Sequence, residues 1–120
     1  MPRRKTLTEN ERKKLEKERQ QTVAEIERLR EYLRTQPESG SDEVDLDVYE
    51  REKNLALVRR QEKRLAEIDD ALRAAKKGTY GICERCGKPI DPARLKALPE
   101  TTLCIRCKNE LEKQARRAAL

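Results

Sequence analysis

A mostly α-helical fold is predicted, a long antiparallel helical hairpin (coiled coil) followed by a small four-Cys zinc finger and a C-terminal helix. Three features of the sequence predict it. Two long runs free of Gly and Pro carry apolar residues at helical spacing, a Pro/Gly/Ser turn divides them, and all four cysteines fall in two C-x2-C pairs beyond them. Composition agrees: of 120 residues 43% are charged and 35% apolar, with no Trp or Phe, against about 25% charged in ordinary soluble domains. Tyr32, Tyr49 and Tyr80 are the only aromatics, too little large side-chain area for a barrel or sandwich core. The lack of His rules out a Ser-His-Asp triad, a Cys-His pair or a His-ligated metal. No enzymatic activity is expected.

Thr8-Glu9-Asn10-Glu11 has the form of a capping box and places a helix start near residue 8. Leu15, Thr22, Ile26, Leu29 and Leu33 follow on one helical face before Pro37. The first turns of this seam are thin, so its N-terminal end is expected to fray. Gln36-Pro37-Glu38-Ser39-Gly40-Ser41 reads as a turn, because Pro stops the helix and Gly and Ser tolerate the reversal. A second run from about Asp42 to Lys77 has its seam through Val48, Leu55, Val58, Leu65, Ile68, Leu72 and Ala75, with Glu62 as a polar break. Gly78 suits its C-cap, after Lys76 and Lys77 at the negative end of the helix dipole. Helices of about 28 and 33 residues extend roughly 40 to 50 Å each, and an antiparallel hairpin is the simplest way to bury both seams. The expected domains are 1–78, the N-terminal segment and hairpin, and 79–120, the finger and last helix.

The net charge of +6 conceals a local reversal. Residues 1–35 carry 11 bases and 7 acids, whereas residues 36–50 carry Glu38, Asp42, Glu43, Asp45, Asp47 and Glu50 and no base. The acidic segment therefore falls at the hairpin tip, near 37–47. The basic N-terminus is followed by no apolar run, and nothing approaches the roughly 20 apolar residues of a membrane span. A cytoplasmic location is expected.

Cys83-x2-Cys86 and Cys104-x2-Cys107, separated by 17 residues, form a zinc-ligand pattern. Each pair turns two sulfurs toward one point, and two such knuckles complete a tetrahedron without His. Disulfides are disfavoured in a reducing cytosol, and a redox C-x2-C normally opens a helix in a βαβ unit that is absent here. Gly81 and Gly87 relieve the tight backbone turns. Four thiolates leave no open position, so one Zn2+ has a structural role, stabilising a small domain by about 10 to 16 kcal/mol. Arg85, Lys88, Arg106 and Lys108 surround a centre whose own charge is −2. They either neutralise it on a solvated face or contact nucleic acid or phosphate. The segment from Lys108 to Leu120 is rich in helix formers. Leu111, Ala115 and Ala118 are expected to pack back on the zinc module or hairpin base, leaving Arg116 and Arg117 as possible partner contacts.

The run Tyr80-Gly81-Ile82-Cys83-Glu84-Arg85-Cys86-Gly87-Lys88-Pro89-Ile90, then Arg94-Leu95, Pro99 and Leu103-Cys104-Ile105-Arg106-Cys107-Lys108, resembles the zinc finger of the DksA/TraR family of bacterial transcription regulators. A finger following a long helical hairpin has the same order, so the resemblance covers nearly the whole chain. It implies binding to RNA polymerase rather than promoter DNA, with the hairpin inserted in the secondary channel and acidic tip residues modulating initiation. The family tip has two Asp separated by two residues, then an Ala two positions later. By pattern Asp42 and Asp45 supply the two Asp, with Asp47 in place of Ala; counting back from Cys83 at the family spacing puts Gly40 and Glu43 there instead. Either alignment leaves an acidic tip. For the nucleotide ppGpp, which some members bind, the corresponding positions are Glu67, Leu98 and Lys108, and only Lys108 keeps the expected charge. A ppGpp response is doubtful on that ground.

Two readings from other classes use the same residues. A zinc-ribbon nucleic-acid binder fits the basic finger and predicts duplex affinity that falls steeply with salt. A structural coiled-coil adaptor predicts silent tip substitutions and sensitivity to seam changes such as Leu65→Asp.

Overall fold

The structure, a computed structural model, describes residues 4–35 and 44–119, without the side chains of residues 44–46. The chain folds as α1 (Glu9–Thr35), α2 (Val44–Lys77), α3 (Pro92–Ala97) and α4 (Ile105–Ala118). The expected turn at residues 36–41 lies outside the described residues. Among the described residues the extended pairing is a single antiparallel bridge, Ile82 with Pro89. No described helix is long and apolar enough to cross a membrane.

The helix ends follow the local chemistry. The Glu11 amide donates to Thr8 Oγ1 at 3.1 Å and the Thr8 amide donates to Glu11 Oε1 at 3.0 Å, a reciprocal pairing that satisfies two of the free donors opening α1. Glu11 also pairs with Arg4. At the far end of α2, Gly78 has φ +79°, a left-handed conformation that costs Gly nothing.

Two compact units divide the chain. Glu16–Ala66 is a pair of antiparallel helices, shown by contacts that join the earlier part of α1 to the later part of α2 and the end of α1 to the earlier part of α2. Arg64 donates to Glu18 at 2.8 Å, Gln61 to Glu25 at 2.8 Å and Arg51 to the Leu33 carbonyl at 3.1 Å, and Arg30 pairs with Glu62. The polar break foreseen at Glu62 is this ion pair. Among its described residues the buried ones are few: Thr22, Ile26 and Val58. Thr22 is tolerated there because its hydroxyl donates to the Glu18 carbonyl at 2.7 Å. Leu29, Leu33, Leu55 and Leu65 are half-buried, and Val48, expected in the seam, is 49% exposed. A hairpin whose cross-helix contacts are this polar buries only the middle of its stripe.

The second unit joins Met1–Leu15 to Glu67–Leu120 and holds the larger core. Leu7, Leu15, Ile68, Ala71, Tyr80, Cys83, Ile90, Leu95 and Cys107 form one buried cluster, with Leu72, Ala74, Ala75, Cys86, Leu103 and Cys104 packed against it. The thin first turns of α1 do not fray. Leu15 is 1% exposed and Leu7, ahead of the helix, is 7% exposed, because both bury apolar area against the finger instead of continuing the hairpin seam. Arg4 adds a cation over the Tyr80 ring, 5.8 Å from its centroid. Tyr80 is the largest fully buried side chain, and its hydroxyl donates to the Pro99 carbonyl at 3.0 Å, so the polar end of the ring is satisfied inside the core.

Candidate functional site

The first knuckle is a tight hairpin. The Cys83 amide donates to the Lys88 carbonyl, the Gly87 amide to the Cys83 carbonyl and the Ile90 amide to the Gly81 carbonyl, at 2.9, 2.9 and 2.8 Å. Gly87 turns the chain back with φ +74°. Asp91 then caps α3, its carboxylate accepting from the Ala93 amide at 2.9 Å, with Pro92 opening the helix. This delivers Leu95 to the core, fully buried. Arg94 donates through Nε to the Leu103 carbonyl at 3.2 Å, which fixes the approach to the second knuckle. The two knuckles are stitched by the Glu84 amide donating to the Thr102 carbonyl at 2.9 Å.

Cys104 is the N-cap of α4, its sulfur accepting from the Cys107 amide at 3.4 Å. The ligand atoms of Cys83, Cys86, Cys104 and Cys107 all lie within 4.8 Å of one another, and Cys86 and Cys104 approach to 3.9 Å. Sulfurs of a tetrahedral zinc site with bonds of about 2.3 Å stand about 3.8 Å apart. The donor set therefore fits zinc in number, chemistry and spacing. The electrostatics differ from sulfur to sulfur. Burial opposes ionisation of Cys83, but backbone donors at Cys104, Cys86 and Arg85 together outweigh it and bring the thiol down to about 6. The backbone donor at Cys107 lowers Cys104 as well, against its burial. Cys107 is pushed up to about 11 by burial and by the neighbouring Cys104 sulfur. Zinc takes its cysteine ligands as thiolates, so metal binding releases their protons.

Residues 78–113 match the family described as "Prokaryotic dksA/traR C4-type zinc finger". The solved structure of transcription factor DksA2 from Pseudomonas aeruginosa is 36% identical and superposes with a TM-score of 0.67, covering 88% of this chain and 82% of that one. The chain belongs to the DksA/TraR family. Its four cysteines hold one structural zinc ion. Among curated DksA/TraR relatives, the RNA polymerase-binding transcription factor DksA of Caulobacter vibrioides is 36% identical over 71% of this chain and 61% of its own length. The protein of the same description from Escherichia coli is 33% identical over 82% of this chain and 66% of its own. An uncharacterised Aquifex aeolicus protein is 53% identical over 42% of this chain. The chain spans between 23% and 66% of the length of these and other curated relatives.

The remaining residues singled out in the sequence are distributed as follows in this DksA/TraR protein. Arg85 is ion-paired with Glu110 of α4. Arg106 is exposed in the field of Cys107 and Cys86, Lys108 is half-buried, and Arg116 and Arg117 are exposed. Leu111 is 38% exposed, and Ala115 and Ala118 are exposed too. The expected packing of this stripe does not occur: the buried residue of α4 is Cys107 in its first turn, and two alanines offer little area to bury. At the tip, Asp42 and Glu43 lie outside the described residues, as does the side chain of Asp45; Asp47 is a half-buried position on α2. Glu110 was not singled out, although it follows Cys107 by three residues and so shares the ligand face of the helix.

Proposed function

We propose that this protein binds RNA polymerase, enters its secondary channel with the acidic hairpin tip, and modulates transcription initiation. The observation that carries the proposal is the likeness to DksA2 over hairpin and finger together, strengthened by relatives described as RNA polymerase-binding transcription factors. The chain's own chemistry supports the division of labour. Carboxylates at Asp42, Glu43, Asp45 and Asp47 act near basic groups or a divalent cation of the polymerase and bias its conformational equilibrium. The finger, the exposed bases Arg106, Arg116 and Arg117 and the half-buried Lys108 dock outside the channel, where charge speeds and orients association, while Arg85 is paired with Glu110. The site of action is the cytoplasm. Sequence-specific DNA binding and enzymatic activity form no part of the proposal. Nor does ppGpp, since Glu67 is an acid and Leu98, 38% exposed, offers a phosphate no charge.

The test is initiation by purified bacterial polymerase with the wild type and with D42N, E43Q, D45N and D47N, singly and combined. The proposal expects the combined variant to bind polymerase and lose regulation. Intact binding with unchanged regulation would remove the tip from the mechanism, and salt-sensitive duplex affinity without polymerase would favour the nucleic-acid reading. Added ppGpp is expected to leave the wild-type effect unchanged.

A further inference from the structure

We propose that the outer edge of the first knuckle, at Ile82, receives an extended peptide segment of a partner protein: main chain pairs with main chain, an apolar side chain of the segment fills the adjoining groove, and a basic one meets Glu84. The backbone pattern carries the proposal. Ile82 and Pro89 form an antiparallel bridge whose hydrogen bonds come from the flanking residues, the Cys83 amide donating to the Lys88 carbonyl at 2.9 Å and the Ile90 amide to the Gly81 carbonyl at 2.8 Å. Pro89 itself has no N–H to give. Ile82 and Pro89 are thus a non-hydrogen-bonded pair, and Ile82 turns its own N–H and C=O to the outer side of the ribbon. Among the described residues neither of these two groups has a hydrogen-bond partner. Two residues further on, the Glu84 amide donates to the Thr102 carbonyl at 2.9 Å. The edge is therefore closed by main-chain pairing at Glu84 and open at Ile82.

A groove of about 270 Å3 adjoins this edge, lined among others by Ala74, Thr79, Ile82, Glu84, Thr101 and Thr102. Because Thr102 is the partner of Glu84 and also lines the groove, the groove lies on the outer side of the ribbon. The methyl groups of Ala74, Ile82 and the three threonines give it an apolar wall, and the exposed carboxylate of Glu84 stands at its border. One amide donor beside one carbonyl acceptor on an extended backbone is the complement of a peptide unit, since a hydrogen-bonded antiparallel pair exchanges both bonds between two residues. An open strand edge is a template for another chain. In strand addition the main-chain bonds supply affinity and the pockets for alternate side chains supply specificity. Here the groove selects an apolar side chain, and Glu84 selects a Lys or Arg through opposite charge across the pair.

The test uses the zinc-loaded full chain, isotope-labelled so that its amide resonances are followed by NMR. The probes are the terminally blocked peptide Lys-Val-Leu-Val-Thr, the same peptide with Glu in place of Lys, and the lysine peptide with every amide N-methylated. The lysine peptide is expected to give saturable shifts at Ile82, Thr101 and Thr102. The glutamate peptide is expected to bind about two- to fivefold more weakly, and the N-methylated one about tenfold more weakly. E84K is expected to reverse the preference between lysine and glutamate peptides, and T79W, which narrows the groove from an exposed position, to weaken both. Absence of a shift at Ile82 with about 1 mM lysine peptide, equal binding of the N-methylated peptide, or a charge preference unchanged in E84K overturns the proposal. Should T79W fail to fold, the peptide series and E84K decide the matter. None of these readouts involves polymerase, so the outcome is independent of the function proposed above.

Discussion

Leu15→Ala tests whether the start of α1 belongs to the finger's core. Leu15 is 1% exposed within the cluster that contains Ile68, Tyr80 and the buried cysteines. The substitution deletes three carbon atoms, at about 0.8 kcal/mol each for transfer, and the cavity left behind raises the total to about 2.5 to 5 kcal/mol. Alanine's better helix propensity returns only a few tenths of a kcal/mol. Leu33→Ala, on a half-buried residue in the other unit, is expected to cost about 1 kcal/mol. Denaturant unfolding of the zinc-saturated proteins measures both, and hydrogen exchange localises the loss to residues 67–119 for Leu15→Ala. A cost below about 1 kcal/mol for Leu15→Ala, or protection lost only within residues 16–66, would refute the assignment.

Thr8→Ala removes the side-chain acceptor of the capping box and is expected to cost about 0.5 to 2 kcal/mol, measured by the same unfolding experiment. Tyr80→Phe strands the Pro99 carbonyl in the core and is expected to cost about 1 to 3 kcal/mol. Burial raises the Tyr80 pKa above its ordinary value, with Arg4 opposing and Glu100 adding to the rise. Folding therefore favours the neutral phenol: that contribution is complete below about pH 10 and is lost as pH rises through the higher folded value. Phenolate absorbance during alkaline titration checks this, since Tyr80→Phe must delete the last phenol to ionise. Zinc chelation is expected to abolish hydrogen-exchange protection across the finger and at Leu15 and Ile68, because Cys83 and Cys107 belong to the same cluster and the metal supplies about 10 to 16 kcal/mol. Unchanged protection at Ile68 would separate the metal from that core.

Hairpin, finger and ligands were legible because each rests on a local signal. The expected runs became α1 and α2, of 27 and 34 residues, since capping, Pro and Gly chemistry acts within a few residues. The four ligands were legible because metal geometry dictates their spacing. What stayed hidden depends on packing at long range. Leu7 carries no periodic signal, and Ala71, fully buried, is too small to mark a seam by hydrophobicity. The burial of Tyr80 depends on partners as distant as Leu7 and Pro99. Val48 shows the converse, since it fits the helical stripe yet has too little around it to be covered. Arg85 was ambiguous because a base near a metal centre looks the same in a sequence whether it is paired within the fold or open to a partner; the bond to Glu110 is visible only in three dimensions.

The central claim, that the hairpin tip works inside the polymerase, is tested most directly by crosslinking. A photoreactive residue replacing Asp47, at the start of α2, is carried into complexes with purified polymerase, and the crosslinked peptides are identified. The account predicts attachment within the secondary channel, near the catalytic centre, lost on competition with unlabelled protein. Specific attachment confined to the outer surface of polymerase, with binding intact, would contradict it.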